Sequence, residues 1–335
     1  LSDHRQQPGE FELIASYFTG LTAQEGVSLG IGDDAALLEP TPGHQLVVAS
    51  DTLVEGVHFP SSASPQQVAS RALCVNLSDM AAMGAVPRWF TLALTLPSEK
   101  ANADWLSGFS AGLAKVASQY SVALVGGDTT SGPLTITLTL LGEVPQGEGL
   151  TRAGAAPGDA VFVTGTLGDC AAALNLILRK NSILEMSDRL LQRFYCPQPQ
   201  IQAGLTLRPV ASACIDISDG LVADLGHLCK ASGVTAAIQA QLLPIAEDVR
   251  NFANFSDNFS ALDWALTGGD DYQLCFTVAP ESLSIVDDWI EQGQLQATRI
   301  GVLSAGDKSI DPVTVVDKNN KILIIEKAGY NHFGH

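Results

Sequence analysis

Aspartate residues follow short apolar runs at six places in this chain, each time with glycine or serine nearby. The six segments are GIGDDAAL with Asp33 and Asp34, VVASDT with Asp51, VNLSDM with Asp79, VGGDTTSG with Asp128, CIDISDG with Asp216 and Asp219, and LTGGDDY with Asp270 and Asp271. A single Gly–Asp pair after an apolar run is usually only a turn. Six such segments indicate instead a site for hard cations such as Mg²⁺, which is held by one or two carboxylates per ion together with substrate phosphates.

The glycine and serine residues in these segments add a second kind of chemistry. Glycine lets the backbone come close to a phosphate and offer its N–H groups, as expected at Gly127 in GGDT. A Ser–Asp pair at the start of a helix, as expected at Ser218, adds the positive end of the helix dipole. Metal ions and main-chain amides together could therefore hold a polyphosphate.

The charge of the chain narrows the range of partners. The sequence of 335 residues contains 18 Lys and Arg against 36 Asp and Glu, a net charge of −18. We therefore expect neither nucleic acid nor an anionic membrane as a partner. An anionic small molecule is repelled as well, unless bound cations invert the field around the carboxylates.

The composition is globular, with 46% hydrophobic and 16% charged residues and no apolar run long enough to span a bilayer. The N-terminal segment LSDHRQQPGEF has no apolar core of the signal-peptide type, so we expect a cytoplasmic location. The cysteines show no C-x-x-C spacing and the histidines no H-x-x-x-H pair, so zinc chemistry is not expected.

Common nucleotide-binding motifs do not explain the acidic segments. The sequence has no G-x-x-x-x-G-K-[ST] motif and neither the H-R-D nor the D-F-G element of protein kinases. GIGDDA fits G-x-G-x-x-A, but Asp33 and Asp34 would repel a pyrophosphate and Pro40 would cut the following helix short. GGDD also occurs in nucleotide polymerases and cyclases, yet one short match is weak.

Two basic residues lie close to the acidic segments or in glycine-rich sequence. His58 follows Asp51 by seven residues, and it is either a structural residue or part of the site. Arg152 stands in the glycine-rich segment GLTRAG, where a bidentate phosphate clamp and a surface ion pair are equally compatible with its neighbours.

The order of elements predicts an α/β (α+β) protein of two domains, at residues 1–150 and 151–335. In the first, a helix begins at Pro65 and ends near Gly84, and the strand PLTITLTLLGEV alternates outward threonines with buried Ile136, Leu138 and Leu140. That alternation indicates an antiparallel or mixed sheet with one wetter face. The second domain alternates strands and helices after a segment rich in Gly and Pro.

Seven motifs occur in order along the chain: GIGDDAALL, SDTLVEGVHF, VNLSDMAAMGA, GGDTTSGP, LTRAGAAPGD, IDISDGL and ALTGGDDYQLCF. In this order they resemble the thiamine-monophosphate kinase family of the aminoimidazole ribonucleotide synthetase-like superfamily, and the resemblance covers nearly the whole chain. It implies transfer of the γ-phosphoryl group of ATP to thiamine monophosphate with the help of several Mg²⁺ ions. It also implies a homodimer in which the N-terminal sheets pair, each with an α/β C-terminal domain.

The resemblance also implies roles for individual residues. The expected Mg²⁺ ligands are Asp34, Ser50, Asp51, Asp79, Asp128, Asp216 and Asp219; the expected ATP contacts are Gly127, Asp128, Arg152 and Ser218; the expected contacts to the thiamine substrate are His58, Asp270 and Tyr330. Asp128, Asp219 and Arg152 would act most directly on the transferred group. The family usually has Gly-Gly-Glu-Asp where this chain has GGDD, so Asp270 is one methylene shorter.

Three alternatives remain open on the sequence. Another ATP-using member of the superfamily is one, although the selenophosphate and carbamoyl-thioester enzymes should carry a reactive cysteine in an N-terminal loop or at the C-terminus. A metal-dependent phosphohydrolase would release phosphate without an acceptor. A Ca²⁺-stabilised binding protein without turnover should show D-x-[DN]-x-[DN]-G loops, which are absent here.

Overall fold

The computed structural model describes residues 16–21, 25–179, 188–254, 259–306, 311–325 and 329. These residues form two compact units. The first unit comprises the described residues up to Met80 together with Val86–Gln146, and the second comprises Ala81–Ala85 together with the described residues from Gly147 onward.

The first unit is built on a mixed four-stranded sheet. Its elements are β1 (Val27–Leu29), β2 (Leu37–Leu38), β3 (His44–Val54), β4 (Val86–Leu96), β5 (Ala123–Ser131), β6 (Thr135–Pro145), α1 (Pro65–Ala82) and α2 (Ala103–Tyr120). The strand order is β3-β6-β4-β5, in which only β4 and β5 run parallel, while β1 and β2 form a separate antiparallel pair. The helix α1 begins at Pro65 as expected, because proline is favoured in the first helical turn.

The two faces of this sheet differ as the sequence predicts. On β6, Ile136, Leu138 and Leu140 are buried, whereas the threonines between them are only partly covered. The helices α1 and α2 meet closely, because a Cβ at Gly112 would lie 2.6 Å from the main-chain oxygen of Gln66. The buried face belongs to a hydrophobic core, and the threonine face is left more open to solvent.

The second unit is an α+β arrangement around a seven-stranded sheet. Its elements are β7 (Ala160–Thr164), α3 (Asp169–Arg179), α4 (Asp188–Tyr195), α5 (Ile201–Leu207), β8 (Ala211–Asp216), α6 (Leu221–Ser232), β9 (Val234–Gln239), α7 (Glu247–Ala253), α8 (Ala261–Thr267), β10 (Leu274–Val278), α9 (Leu283–Glu291), β11 (Ala297–Ala305), β12 (Val313–Val316) and β13 (Ile322–Leu323). The strand order is β13-β12-β9-β11-β7-β10-β8, and only β12 and β9 run parallel. These sheets and helices confirm the predicted α/β (α+β) class.

The core of the second unit lies between the sheet and α6. Val161, Ile215 and Cys275 from the strands pack with Leu225 and Leu228 from the helix. None of the helices in the described part of the chain combines the length and the hydrophobicity that a membrane crossing requires.

Candidate active site

The GGDT segment does not form the turn that its glycines suggest. Strand β5 continues through Gly126, Gly127 and Asp128 to Ser131, so Asp128 lies within a strand. The pairing with β4 shifts by one residue here, since Leu124 opposes Phe90 while Gly126 opposes Thr91. A bulge of this kind bends a strand and redirects its side chains. The Asp128 carboxylate therefore extends from a strand and not from a turn.

Gly127 is required by the backbone at this point. Its φ angle is +153°, and a Cβ atom would lie 1.9 Å from the main-chain oxygen of Leu92 on β4. No side chain fits in that space, and only glycine adopts such angles without strain. The side chain of the following residue, Asp128, is exposed.

Asp128 lines a cavity of about 410 Å³ in the first unit. The predicted residues Asp34 and Gly127 line the same cavity, together with Asp33. The remaining walls are largely apolar or main chain and come from Phe18, Ile31, Gly32, Ala35, Ala36, Leu92, Leu124, Val125, Gly126 and Thr129. The structure thus brings two distant acidic motifs, GIGDDA and GGDT, to a cavity with an apolar wall and a carboxylate rim.

Asp51 and Asp79 are linked through helix α1. The side-chain oxygen of Asn76 on α1 accepts the N–H of Asp51 on β3 at 3.1 Å. Asp79 follows Asn76 by three residues, which places it on the same side of the helix. Burial raises the pKa of Asp51 above its usual value. The sequence correctly predicts Asp79 within a helix, and the structure adds that this helix reaches the Asp51 strand.

Ser50 points away from Asp51. The two are consecutive in a strand of unbroken register, so their side chains lie on opposite faces of the sheet. The Ser50 hydroxyl donates to the main-chain oxygen of Leu138 at 3.0 Å and lies 3.0 Å from the hydroxyl of Thr139. The side chains of Ser50 and Asp51 therefore cannot bind one metal ion together.

His58 closes a short loop after β3. Its Nδ1 accepts the N–H of Val54 at 3.0 Å, which fixes the proton of the neutral ring on Nε2. The buried Arg71 donates through Nε to the main-chain oxygen of His58 at 2.9 Å. The first contact orients the ring, and the second anchors the main chain of His58.

In the second unit, the IDISDG and GGDDY segments form one paired loop structure. Asp216 ends β8, and the next residue, Ile217, accepts the N–H of Tyr272 at 2.8 Å. The main-chain oxygen of Ser218 accepts the N–H of Asp270, also at 2.8 Å. The two motifs lie about 50 residues apart in the sequence, but these hydrogen bonds join their loops. A shared site at Asp216, Ser218, Asp219 and Asp270 requires such a pairing.

The GGDDY loop holds two non-glycine residues in the left-handed region. The φ angles are +71° at Asp270 and +48° at Tyr272. The hydroxyl of Tyr272 donates to the carboxylate of Asp270 at 3.0 Å. Backbone strain of this kind is typical of functional loops, since the surrounding structure must hold it in place.

Two buried carboxylates that the sequence analysis did not single out as site residues hold these loops. Oδ2 of Asp224 accepts the N–H groups of Ser218, Asp219 and Gly220 at 3.0, 3.0 and 3.1 Å. Burial, together with the charge of Asp216, raises the pKa of Asp224 to about 7. The signal in the sequence was its position in the first turn of α6, five residues after Asp219.

The second buried carboxylate is Asp271, the last acid of GGDD. It accepts the N–H of Gly168 at 2.6 Å and that of Cys170 at 3.3 Å, and thereby ties the loop to the start of α3. Burial raises the pKa of Asp271 to about 8, although both N–H contacts lower it.

The start of α6 is therefore not the open anion site that its Ser–Asp pair suggests. The amide groups of Ser218, Asp219 and Gly220 are already bound to Asp224 and cannot be offered to a phosphate. That expectation is wrong for this loop, because a negative side chain from the same helix occupies the position of the anion.

Arg152 and Tyr330 are the remaining predicted residues of this unit. The exposed Arg152 lies in a segment joined to the rest of the unit through main-chain atoms: Thr151 accepts the N–H of Cys214, and Arg152 accepts the hydroxyl of Ser232. Tyr330 lies outside the described residues. Its neighbour Gly329 approaches the main-chain oxygen of Asp219, which a Cβ would meet at 3.1 Å.

The donor set fits Mg²⁺ better than a softer metal, since it consists of carboxylate and hydroxyl oxygens. Within the described ranges, no three His, Cys, Asp or Glu side chains are grouped closely enough to hold a metal ion by themselves. Mg²⁺ is usually held by one or two carboxylates per ion, with phosphates and water completing its coordination.

Family comparisons agree with this two-part architecture. Residues 32–144 match the AIR synthase related protein N-terminal domain, and residues 156–311 match the corresponding C-terminal domain. The fold and the acidic loops thus define an AIR synthase related protein.

More specific relatives share nearly the full length. The chain is 44% identical to the thiamine-monophosphate kinase of Salmonella typhimurium over 97% of this chain and 98% of that protein. The crystal structure of thiamine-monophosphate kinase from Stenotrophomonas maltophilia has a TM-score of 0.79 at 43% identity, covering 87% of this chain and 92% of the other. The complex of AaThiL with AMPPCP and TMP has a TM-score of 0.76 at 34% identity, covering 91% and 93%. The chain belongs to the thiamine-monophosphate kinase family.

Proposed function

We propose that this protein transfers the γ-phosphoryl group of ATP to thiamine monophosphate, giving thiamine diphosphate and ADP, and that it does so in the cytoplasm. The family relationship supports the reaction, and so does the AaThiL complex, which contains AMPPCP together with TMP. The single observation that carries the proposal on this chain is the cavity that joins Asp34, Gly127 and Asp128.

The cavity has the two properties that a metal-bound nucleotide needs. Apolar residues such as Ile31 and Leu124 can cover a base, while Asp34 and Asp128 offer carboxylates to the metal ions of the phosphates. We assign Asp34, Asp51, Asp79 and Asp128 in the first unit, and Asp216 and Asp219 in the second, as Mg²⁺ ligands. Ser50 can join the Asp51 ion only through a main-chain atom, because its hydroxyl lies on the other face of the sheet.

The acceptor needs little help from a base. A phosphate monoester has its second pKa near ~6, so the attacking oxygen is already largely ionised at neutral pH. Mg²⁺ supplies charge neutralisation and alignment for in-line transfer. The exposed guanidinium of Arg152 would bind phosphate oxygens, and Ser218 would contact ATP through its side chain, since its amide is bound to Asp224.

We propose that His58, Asp270 and Tyr330 contact thiamine monophosphate, as the family resemblance implies. His58 presents a ring whose proton lies on Nε2, and Asp270 presents a carboxylate held by Tyr272. Asp270 is one methylene shorter than the glutamate usual in the family, so the substrate would have to come correspondingly closer to the loop.

A coupled ADP-release assay tests the proposal. The purified protein is incubated with ATP and Mg²⁺ plus thiamine monophosphate, free thiamine or no acceptor, and the product is identified by mass. We expect ADP release only with the monophosphate, together with thiamine diphosphate. Release without an acceptor would favour the phosphohydrolase, and no release in any arm would refute the kinase.

We also propose a homodimer that pairs the threonine faces of two four-stranded sheets. On β3, Leu46 and Val48 are 48% and 61% exposed on this face, next to the paired hydroxyls of Thr52 and Thr137. Exposed apolar residues in a strand are typical of an interface. Light scattering should give a dimer for the wild type and for Ile322→Asp, which changes an equally exposed residue of β13, but a monomer for Val48→Asp. A monomeric wild type would exclude the dimer.

A further inference from the structure

The Asp224 carboxylate determines which atoms of the Ser218–Gly220 loop face outward. Asp224 is only 3% exposed, and a single oxygen, Oδ2, accepts all three N–H groups of the loop. A buried carboxylate with three N–H partners is well satisfied and holds the peptide planes in one orientation. The loop cannot rotate its amides outward without abandoning this carboxylate.

The opposite side of the loop is held by the GGDDY segment. The main-chain oxygen of Ser218 accepts the N–H of Asp270, and a Cβ at Gly269 would lie 2.5 Å from that same oxygen. Gly220 has a φ angle of +122° and lies against Thr267. The loop is thus clamped between α6 and the GGDDY segment.

The usual behaviour of such a helix start is to bind anions, because its free amides and the helix dipole both attract negative charge. Here Asp224 already accepts the amide N–H groups, so they are not available to a phosphate, and in its ionised form its charge adds to those of Asp216 and Asp219. The combination opposes a phosphate at the helix start and favours a cation at the front of the loop.

We propose that Asp224 is a positioning residue that makes this loop a cation site, by withdrawing its amides from phosphate and by fixing the direction of Asp219. This inference rests on the proposed role of Asp219 as a Mg²⁺ ligand. Asp224 itself does not touch the metal or either substrate.

The bonding pattern allows the charge and the geometry to be separated. Because one oxygen accepts all three N–H groups, the amide oxygen of Asp224→Asn can keep the bonds while the charge is lost. Asp224→Leu removes both. Asp159→Asn is the matched control, since Asp159 is also buried and accepts the N–H of Ala156 at 3.0 Å, but lies near the start of β8 instead of its end.

Titration of the nucleotide-free full-length protein with Mn²⁺, followed by electron paramagnetic resonance, gives a readout independent of turnover. The titration is run at about pH 8.5 so that Asp224 is ionised in the wild type, and we expect Asp224→Asn to weaken about tenfold the Mn²⁺ site that Asp219→Asn removes, because one nearby unit of charge is lost. Asp159→Asn should bind as the wild type does. In kinetics, Asp224→Asn should lower kcat at limiting Mg²⁺ and recover it at excess Mg²⁺, with the KM for thiamine monophosphate changed less than about twofold.

Each other outcome overturns the inference. Wild-type Mn²⁺ affinity in Asp224→Asn would leave Asp224 a purely structural cap, whether or not Asp224→Leu folds. Equal losses in Asp224→Asn and Asp159→Asn would show a general loss of stability. The absence of any Mn²⁺ site sensitive to Asp219→Asn would exclude the cation site. The proposed kinase activity fails separately, through the acceptor dependence of ADP release.

Discussion

The two units present their aspartates in opposite ways. In the first unit, Asp34 and Asp128 are exposed at the rim of a cavity, and the backbone beneath Asp128 is shaped by glycine. In the second unit, Asp216 is buried and the loops are shaped by two further carboxylates, Asp224 and Asp271. The first arrangement obtains its geometry from the absence of side chains, and the second from the hydrogen bonds of buried carboxyl groups. The two should therefore fail differently when they are changed.

The largest effect should come from removing one proposed metal ligand in either unit. Asp128→Asn and Asp219→Asn should each lower kcat by about 1,000-fold or more, because metal stabilisation of the transition-state charge is worth several kcal/mol. Because Asp128 is exposed, the free energy of unfolding of Asp128→Asn should stay within about 0.5 kcal/mol of the wild-type value. Kinetics and urea unfolding check both numbers, with Asp288→Asn, an exposed carboxylate of α9, as the unchanged control. Unfolding of either variant would contradict their role as site residues.

A second test separates the two neighbouring glycines of β5. Gly127→Ala should lower the free energy of unfolding by more than about 4 kcal/mol, because the methyl group collides with the Leu92 oxygen and the φ angle of +153° is unfavourable. Gly126→Ala should be tolerated within about 1 kcal/mol, since its Cβ would lie 4.0 Å from the nearest atom, a methyl of Thr91. Urea unfolding of the two variants checks this. Equal losses would mean that the close approach of β5 to β4 does not control this strand.

The contrast between the units also explains what the sequence could predict. The acidic motifs, the Thr-alternating strand and the helix that carries Asp79 follow from local spacing, and the structure agrees with them. The continuous strand through Gly127 does not follow from local spacing, because it depends on the close approach to the main-chain oxygen of Leu92, 35 residues earlier. The role of Asp224 could not be predicted from local spacing either. An aspartate in the first turn of a helix is recognisable in the sequence, but its three N–H partners depend on how the Ser218–Gly220 loop folds onto it.

Asp271 makes the stability of the second unit depend on pH. Its pKa is about 8 in the folded protein and ~3.9 in an unfolded chain. Between these values the folded state holds a proton that the unfolded state has released, so the contribution of Asp271 to the free energy of unfolding falls as pH rises. Asp271→Asn cannot titrate. The stability difference between wild type and variant should therefore shrink from about pH 5 to pH 8 in urea unfolding, and parallel curves would contradict the prediction.

The smallest expected effect concerns Tyr272, and it tests the binding of thiamine monophosphate most directly. Its hydroxyl donates to Asp270 while both residues are held at positive φ, so removing the hydroxyl takes away one contact that orients the Asp270 carboxylate. Tyr272→Phe should raise the KM for thiamine monophosphate about fivefold, the value of one hydrogen bond, and leave the KM for ATP unchanged. Tyr120→Phe, on α2, is the control.

A rise in both KM values would mean that the loop has loosened as a whole, and no change would separate Asp270 from the substrate. If only the KM for the monophosphate rises, Asp270→Glu becomes informative. The longer side chain restores the residue usual in the family, but it cannot reach the Tyr272 hydroxyl in the same geometry. A KM that falls in Asp270→Glu would show that the extra methylene matters more than the tyrosine contact. A KM that rises would show that Tyr272 and Asp270 function as a matched pair in this chain.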